Sequence, residues 1–214
     1  MKETKDLKGI IPALLTPFDS DNKVNHQVLR QLVRMNVDKG VNAFYICGST
    51  AEAFLLSQDE RKSVLETVIG EVNGRCGIIA HIGAISQDNA TDLAKHAKKA
   101  GADAISSIPP FYYKFSFEEI RAYYYGIAEE SDIPMIIYNF PAFSGVTLDS
   151  EKIGQFLCSE RFIGIKHTSN DFYSLNRFKR FFPDKLVFNG YDEIFVSGMA
   201  MGADGAIGST FNFM

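Results

Sequence analysis

The sequence predicts a (β/α)₈ TIM barrel, on three observations. Short, β-rich apolar runs alternate with charged amphipathic stretches along the whole chain. The runs number eight. None of the turns between them carries the glycine-rich phosphate fingerprint expected of a doubly wound open sheet, the other architecture that fits such an alternation. In order, strands are expected near residues 8–15, 43–47, 77–81, 104–108, 135–138, 162–166, 186–189 and 205–208. Helices are expected near residues 25–39, 58–72, 87–100, 117–130, 150–158, 172–182 and 193–201. In the first helix Val28, Leu32, Val33, Asn36 and Val37 recur at helical spacing, with Arg30, Arg34 and Asp38 outside. Lys39-Gly40, Lys99-Ala-Gly101 and Met201-Gly202 supply glycine stops. No linker or low-complexity stretch suggests a second domain. The chain ends at Met214, just after the eighth strand, where the repeat calls for an eighth helix. Ser209-Thr-Phe-Asn-Phe-Met214 cannot replace that helix. Phe211 and Phe213 are therefore expected to be partly exposed, leaving on the order of several hundred Å² of apolar surface uncovered.

Composition narrows the function classes. Hydrophobic residues make up 46% of the chain, enough for a sizeable core, and a formal charge of −4 argues against nucleic acid as a partner. No apolar run reaches the ~18 residues of a membrane span. The start, Met1-Lys-Glu-Thr-Lys-Asp, is polar with no apolar signal core behind it, so the cytoplasm is the default compartment. Cys47, Cys76 and Cys158 are odd in number and widely spaced, which disfavours a disulfide framework or a metal knuckle. His26, His81, His96 and His167 show no ligand spacing, so neither a metal nor another cofactor is expected.

Two strand ends carry the chemistry. Lys166 ends the run Arg161-Phe-Ile-Gly-Ile-Lys166, and Tyr138 ends Ile133-Pro-Met-Ile-Ile-Tyr138, about one strand–helix unit earlier. On parallel neighbours, an amine and a phenol would meet at the carboxyl end of the sheet. An amine attacks a keto group and a phenol moves protons, which is Schiff-base chemistry. The amine must be neutral to attack, and at an ordinary pKa only about one lysine in 2,500 is neutral at pH 7. An apolar strand before Lys166 points it inward, where burial lowers that pKa. A solvated rim lysine and a packed core tyrosine are the plain alternatives. Gly48-Ser49-Thr50-Ala51-Glu52 follows the second strand, where amides and two hydroxyls suit a carboxylate or form a helix cap. Gly190-Tyr191-Asp192-Glu193 and Gly208-Ser209-Thr210 follow strands seven and eight and suit a polyhydroxylated tail, although Asp192 and Glu193 also favour a helix N-terminus. Tyr112 and Tyr113 follow strand four, as residues of the catalytic face or as an aromatic interface patch.

Together, Gly48-Ser-Thr-x-Glu52, Tyr138-Asn-x-Pro141, Gly164-Ile-Lys166 and Gly190-Tyr-Asp-Glu193 resemble the N-acetylneuraminate lyases of the dihydrodipicolinate synthase superfamily, from about Lys8 to Phe213. The resemblance implies a class I aldolase that cleaves sialic acid to pyruvate and N-acetylmannosamine. Lys166 would form the Schiff base and Tyr138 would relay protons. Ser49 and Thr50 would hold the carboxylate. Thr168, Gly190, Asp192, Glu193 and Ser209 would grip the sugar tail. Tyr112 matches a tyrosine that a neighbouring subunit contributes, within a homotetramer. The synthases that join pyruvate to aspartate semialdehyde carry an arginine shortly after the Tyr-Asn-x-Pro turn, and Ala142-Phe-Ser-Gly-Val-Thr147 has none. Other pyruvate-dependent aldolases of the superfamily remain open, as does a truncated chain that only binds keto acids or partner subunits. By the same resemblance, residues 1–214 form one barrel domain lacking the last helix and a C-terminal helical extension. Cys47 and Ala51 stand where relatives have glycine. At Ala51 a positive φ would cost about 1 kcal/mol.

Overall fold

The computed structural model describes residues 7–214. Its strands are β1 (Gly9–Pro12), β2 (Ala43–Ile46), β3 (Gly77–His81), β4 (Ala104–Ser107), β5 (Met135–Asn139), β6 (Phe162–His167), β7 (Leu186–Asn189) and β8 (Gly205–Gly208). The helices are α1 (His26–Asp38), α2 (Gln58–Val72), α3 (Gln87–Ala100), α4 (Phe117–Ser131), α5 (Pro141–Ser144), α6 (Ser150–Leu157), α7 (Phe172–Phe181) and α8 (Phe195–Ala200). All strand pairs are parallel, in the order β1-β8-β7-β6-β5-β4-β3-β2. The two ends of that sheet meet. The Asn42 amide donates to Ile10 O at 3.1 Å and the Leu14 amide to Tyr45 O at 2.9 Å. The result is the (β/α)₈ barrel that the alternation predicts. Among the described residues no helix is long and apolar enough to cross a membrane.

Strands buried on both faces read as continuous apolar runs, because helices cover the outside and side chains plug the inside. Parity along β2 separates the two layers: Phe44 and Ile46 join the core under the helices, while Ala43 and Tyr45 join the barrel interior with Ile79, Ile136 and Phe188. Helix starts are set by local chemistry. Ser57 with Glu60, and Ser116 with Glu119, form reciprocal capping boxes on α2 and α4, each cap contributing about 1 kcal/mol. The anticipated glycine stops all lie in the left-handed region, at φ 83° for Gly40, 100° for Gly101 and 98° for Gly202.

Four details differ from the expectation. β1 is shorter than residues 8–15, because the chain leaves β8 after Ala13 to meet β2: the Ala13 amide bonds Gly208 O, but the Leu14 amide bonds Tyr45 O. In α1 the cap on the Val28 amide by Asn25 fixes the phase, so Leu29, Val33 and Asn36 are buried, and Val28 faces out at 42% exposure. The helix expected over 193–201 is split into a 3₁₀ turn at Asp192–Ile194 and α8. Asp192 bends back there to accept from the Thr210 amide at 2.6 Å. The one-turn α5 was not anticipated; it starts on Pro141 and ends at Gly145 with φ 67°.

After β8, Thr210–Asn212 forms a 3₁₀ turn. Asn212 is fully buried. Its Nδ2 donates to Ala13 O at 2.7 Å, and its Oδ1 accepts from the Leu15 amide at 3.2 Å. This side chain ties the end of β8 to the first strand. Phe213 is exposed, and Phe211 is half-buried against the Phe195 ring, 5.8 Å away.

Candidate active site

The register of β5 on β6 sets Tyr138 directly opposite Lys166. Both side chains turn into the barrel near its carboxyl end, Lys166 4% and Tyr138 2% exposed. Lys166 Nζ lies 4.1 Å from the Tyr138 ring centroid and 4.3 Å from that of Tyr45. Burial lowers the amine's pKa from 10.5 to about 7, against an opposing pull from Asp192. A substantial neutral fraction therefore exists near neutral pH. Burial pushes the Tyr138 phenol up from 10.0, and the Ser49 and Thr168 hydroxyls oppose that shift. Thr168 is buried, and its Oγ1 makes no hydrogen bond of ordinary geometry.

The loops after β2, β7 and β8 meet above this pair. Thr50 Oγ1 and Ser209 Oγ lie 2.6 Å apart. The amides of Ala51, Glu52 and Ala53 bond back to Gly48 O and Ser49 O, so an anion would be met by Ser49 and Thr50 ahead of them. Burial raises the Asp192 carboxyl, but hydrogen bonds from the Thr210 side chain and amide outweigh it and hold the group below the usual aspartate value. Gly190 passes so close to Thr168 that a Cβ there would collide with the threonine side chain and Cα. A buried nucleophilic amine, a phenol, paired hydroxyls and an ionised carboxylate thus line one barrel mouth.

A family model, the dihydrodipicolinate synthetase family, matches residues 6–214. The chain belongs to this family. It is 46% identical over 211 residues to the N-acetylneuraminate lyase of Citrobacter koseri, covering 98% of this chain and 71% of that one. Among solved structures, CdNal from Clostridium difficile, in complex with mannosamine, superposes with a TM-score of 0.95 at 44% identity, over 97% of this chain and 72% of that one. The N-acetylneuraminate lyase of Fusobacterium nucleatum, complexed with pyruvate, superposes at 0.92 with 40% identity, over 98% of this chain and 71% of that one.

Two of the sequence candidates stand open to solvent in this dihydrodipicolinate synthetase family member. Glu193 is exposed on the 3₁₀ turn. Tyr112 is 83% exposed, has φ 78°, and packs on Tyr113 at 5.0 Å.

Sequence reasoning missed Tyr45 and His81, which complete the floor. Tyr45 is fully buried, and its hydroxyl donates to Ser106 Oγ at 3.1 Å. His81 packs edge-on to Tyr138 at 5.9 Å. Burial, with the Arg61 and Lys166 charges adding to it, lowers its pKa to about 3. It is a neutral wall: Nδ1 bonds Cys47 O at 2.8 Å and Nε2 accepts from the Ile108 amide at 3.4 Å. The available signal was strand parity, which turns Tyr45 inward with Ala43.

Ala51 needs no left-handed φ. In this loop the left-handed residues are Cys47 at φ 58° and Glu52 at φ 55°, and Ala51 is not among them. Ala51→Gly therefore adds freedom to the unfolded chain without relieving strain, and stability falls by about 0.5–1 kcal/mol. Urea unfolding checks this, and a gain in stability would contradict it.

Proposed function

We propose that this chain is an N-acetylneuraminate lyase, cleaving open-chain sialic acid to pyruvate and N-acetylmannosamine through a Schiff base on Lys166. The observation that carries the reading is the in-register Tyr138–Lys166 pair, with the amine buried and its pKa near 7. Relatives named as lyases at 45–46% identity supply the substrate class. The neutral amine adds to the keto carbon, and the carbinolamine oxygen leaves as water. The cationic iminium then accepts the electron pair as the C3–C4 bond breaks. Tyr138, helped by the substrate carboxylate, moves the protons. Ser49 and Thr50 hold that carboxylate, and Thr168, Gly190, Asp192, Glu193 and Ser209 face the polyol. In a homo-oligomer, the exposure of Tyr112 suits it to a neighbouring subunit's site.

Borohydride reduction in the presence of pyruvate tests the reading. Covalent pyruvate on Lys166 supports it, and well-folded protein that takes up no label would sink it. A panel of sugar acids then separates sialic acid from other aldol substrates. The pH profile is a further check. Activity with sialic acid is expected to rise as pH climbs through about 7, where the Lys166 ammonium loses its proton. An acid limb at pH 9 or above would mean that the amine is not desolvated.

A further inference from the structure

Two ring faces, Tyr45 and Tyr138, flank Lys166 Nζ at 4.3 and 4.1 Å. Tyr45 is held on every side. Its hydroxyl is bonded to Ser106, its ring meets Tyr138 nearly edge-on at 81° and lies 6.0 Å from His81. The Gly48 backbone lies on it so closely that a Cβ there would stand 2.6 Å from Tyr45 Cε1. One rigid ring thus spans the distance between the Ser49–Thr50 loop and the amine.

We propose that Tyr45 is a positioning residue for the Schiff base, its ring face holding the Lys166 nitrogen and favouring the cationic iminium while Gly48 sets the carboxylate loop against the same ring. The inference rests on the Schiff-base reading above. When the amine adds to the keto carbon and water leaves, the nitrogen keeps one proton and a positive charge. That charge is what draws the electrons of the breaking C3–C4 bond. A carboxylate in the place of Tyr45 would hold the amine as ammonium and offer a base for the iminium proton. An aromatic face attracts the cation through its quadrupole and takes no proton. The groups facing the nitrogen are Tyr45, Tyr138, His81 and, through its charge, Asp192.

The test replaces Tyr45 by Phe and then by mono-, di- and trifluorophenylalanine, which weakens the ring quadrupole with little change of shape. Two quantities are read: the fraction of Lys166 trapped by borohydride at subsaturating pyruvate, and the acid limb of the rate with sialic acid. Read at a pH above the acid limb, where the free amine is already neutral, the trapped fraction is expected to fall stepwise, roughly tenfold from Phe to the trifluoro ring. The acid limb is expected to move to lower pH as the ammonium loses its stabilising face. A flat series overturns the proposal, as does a fall in trapping with an unmoved acid limb, which would mark a purely structural ring. Failure of the unsubstituted protein to trap pyruvate would instead overturn the Schiff-base reading itself.

Discussion

Lys166→Met is expected to lower turnover of sialic acid by about 10⁴-fold or more and to abolish covalent capture of pyruvate, because on the proposed mechanism the iminium forms on this amine. The fold survives, since methionine fills a similar volume in the same buried slot. Stability should change in a pH-dependent way. The folded-state amine titrates near 7, against 10.5 for an ordinary lysine. Between those values the unfolded chain holds the extra proton, so the amine makes wild-type stability rise with pH. Below pH 7 the wild type carries the full penalty of a buried charge, and the methionine variant does not. The variant is therefore more stable than wild type at pH 6, and its advantage shrinks as pH rises from 7 toward 10.5. Urea unfolding of both proteins at several pH values measures the difference. A constant gap would show that the amine is not desolvated, and retained turnover would end its role as nucleophile.

Tyr138→Phe separates proton movement from imine formation. Its ring also stacks on Phe140 at 5.6 Å and 23°, and phenylalanine keeps both that contact and the face toward Lys166. Turnover of sialic acid is expected to fall by about 10²–10⁴-fold, while borohydride still labels Lys166 with pyruvate, more slowly. Burial keeps the phenol protonated at neutral pH. On the proposed mechanism it therefore enters as a donor, to the carbinolamine oxygen that leaves as water. Unchanged turnover would remove Tyr138 from the proton path. Complete loss of labelling would instead assign the hydroxyl to holding the site together.

The pair was legible because a regular parallel sheet brings strand ends together whatever fills the loops. Lys166 and Tyr138 each end a run in successive repeats, and the β5–β6 register sets them opposite each other. The Ser49–Thr50 turn and the Gly190–Glu193 segment were legible for the same reason, as the peptides that follow strands. Local backbone geometry was not. The relatives' glycine stands at both Ala51 and Cys47, and nothing local tells that only Cys47, at φ 58°, needs the left-handed region. The phase of α1 turned on one cap, Asn25 to the Val28 amide, which moved Leu29 inward in place of Val28.

Local pattern sufficed for the eight strands, most helix limits, and the residues that stand at the carboxyl ends of β5 and β6. Their neighbourhood follows from contacts close along the chain and from periodicity. Tertiary structure alone decided that Tyr45 faces Lys166. β2 and β6 lie four places apart in the strand order, and a residue of one reaches the other only across the interior of a closed barrel. Closure rests on the meeting of β1 with β2 and on Asn212 pinning the far end to Ala13 and Leu15. Those are long-range hydrogen bonds, which no local pattern announces.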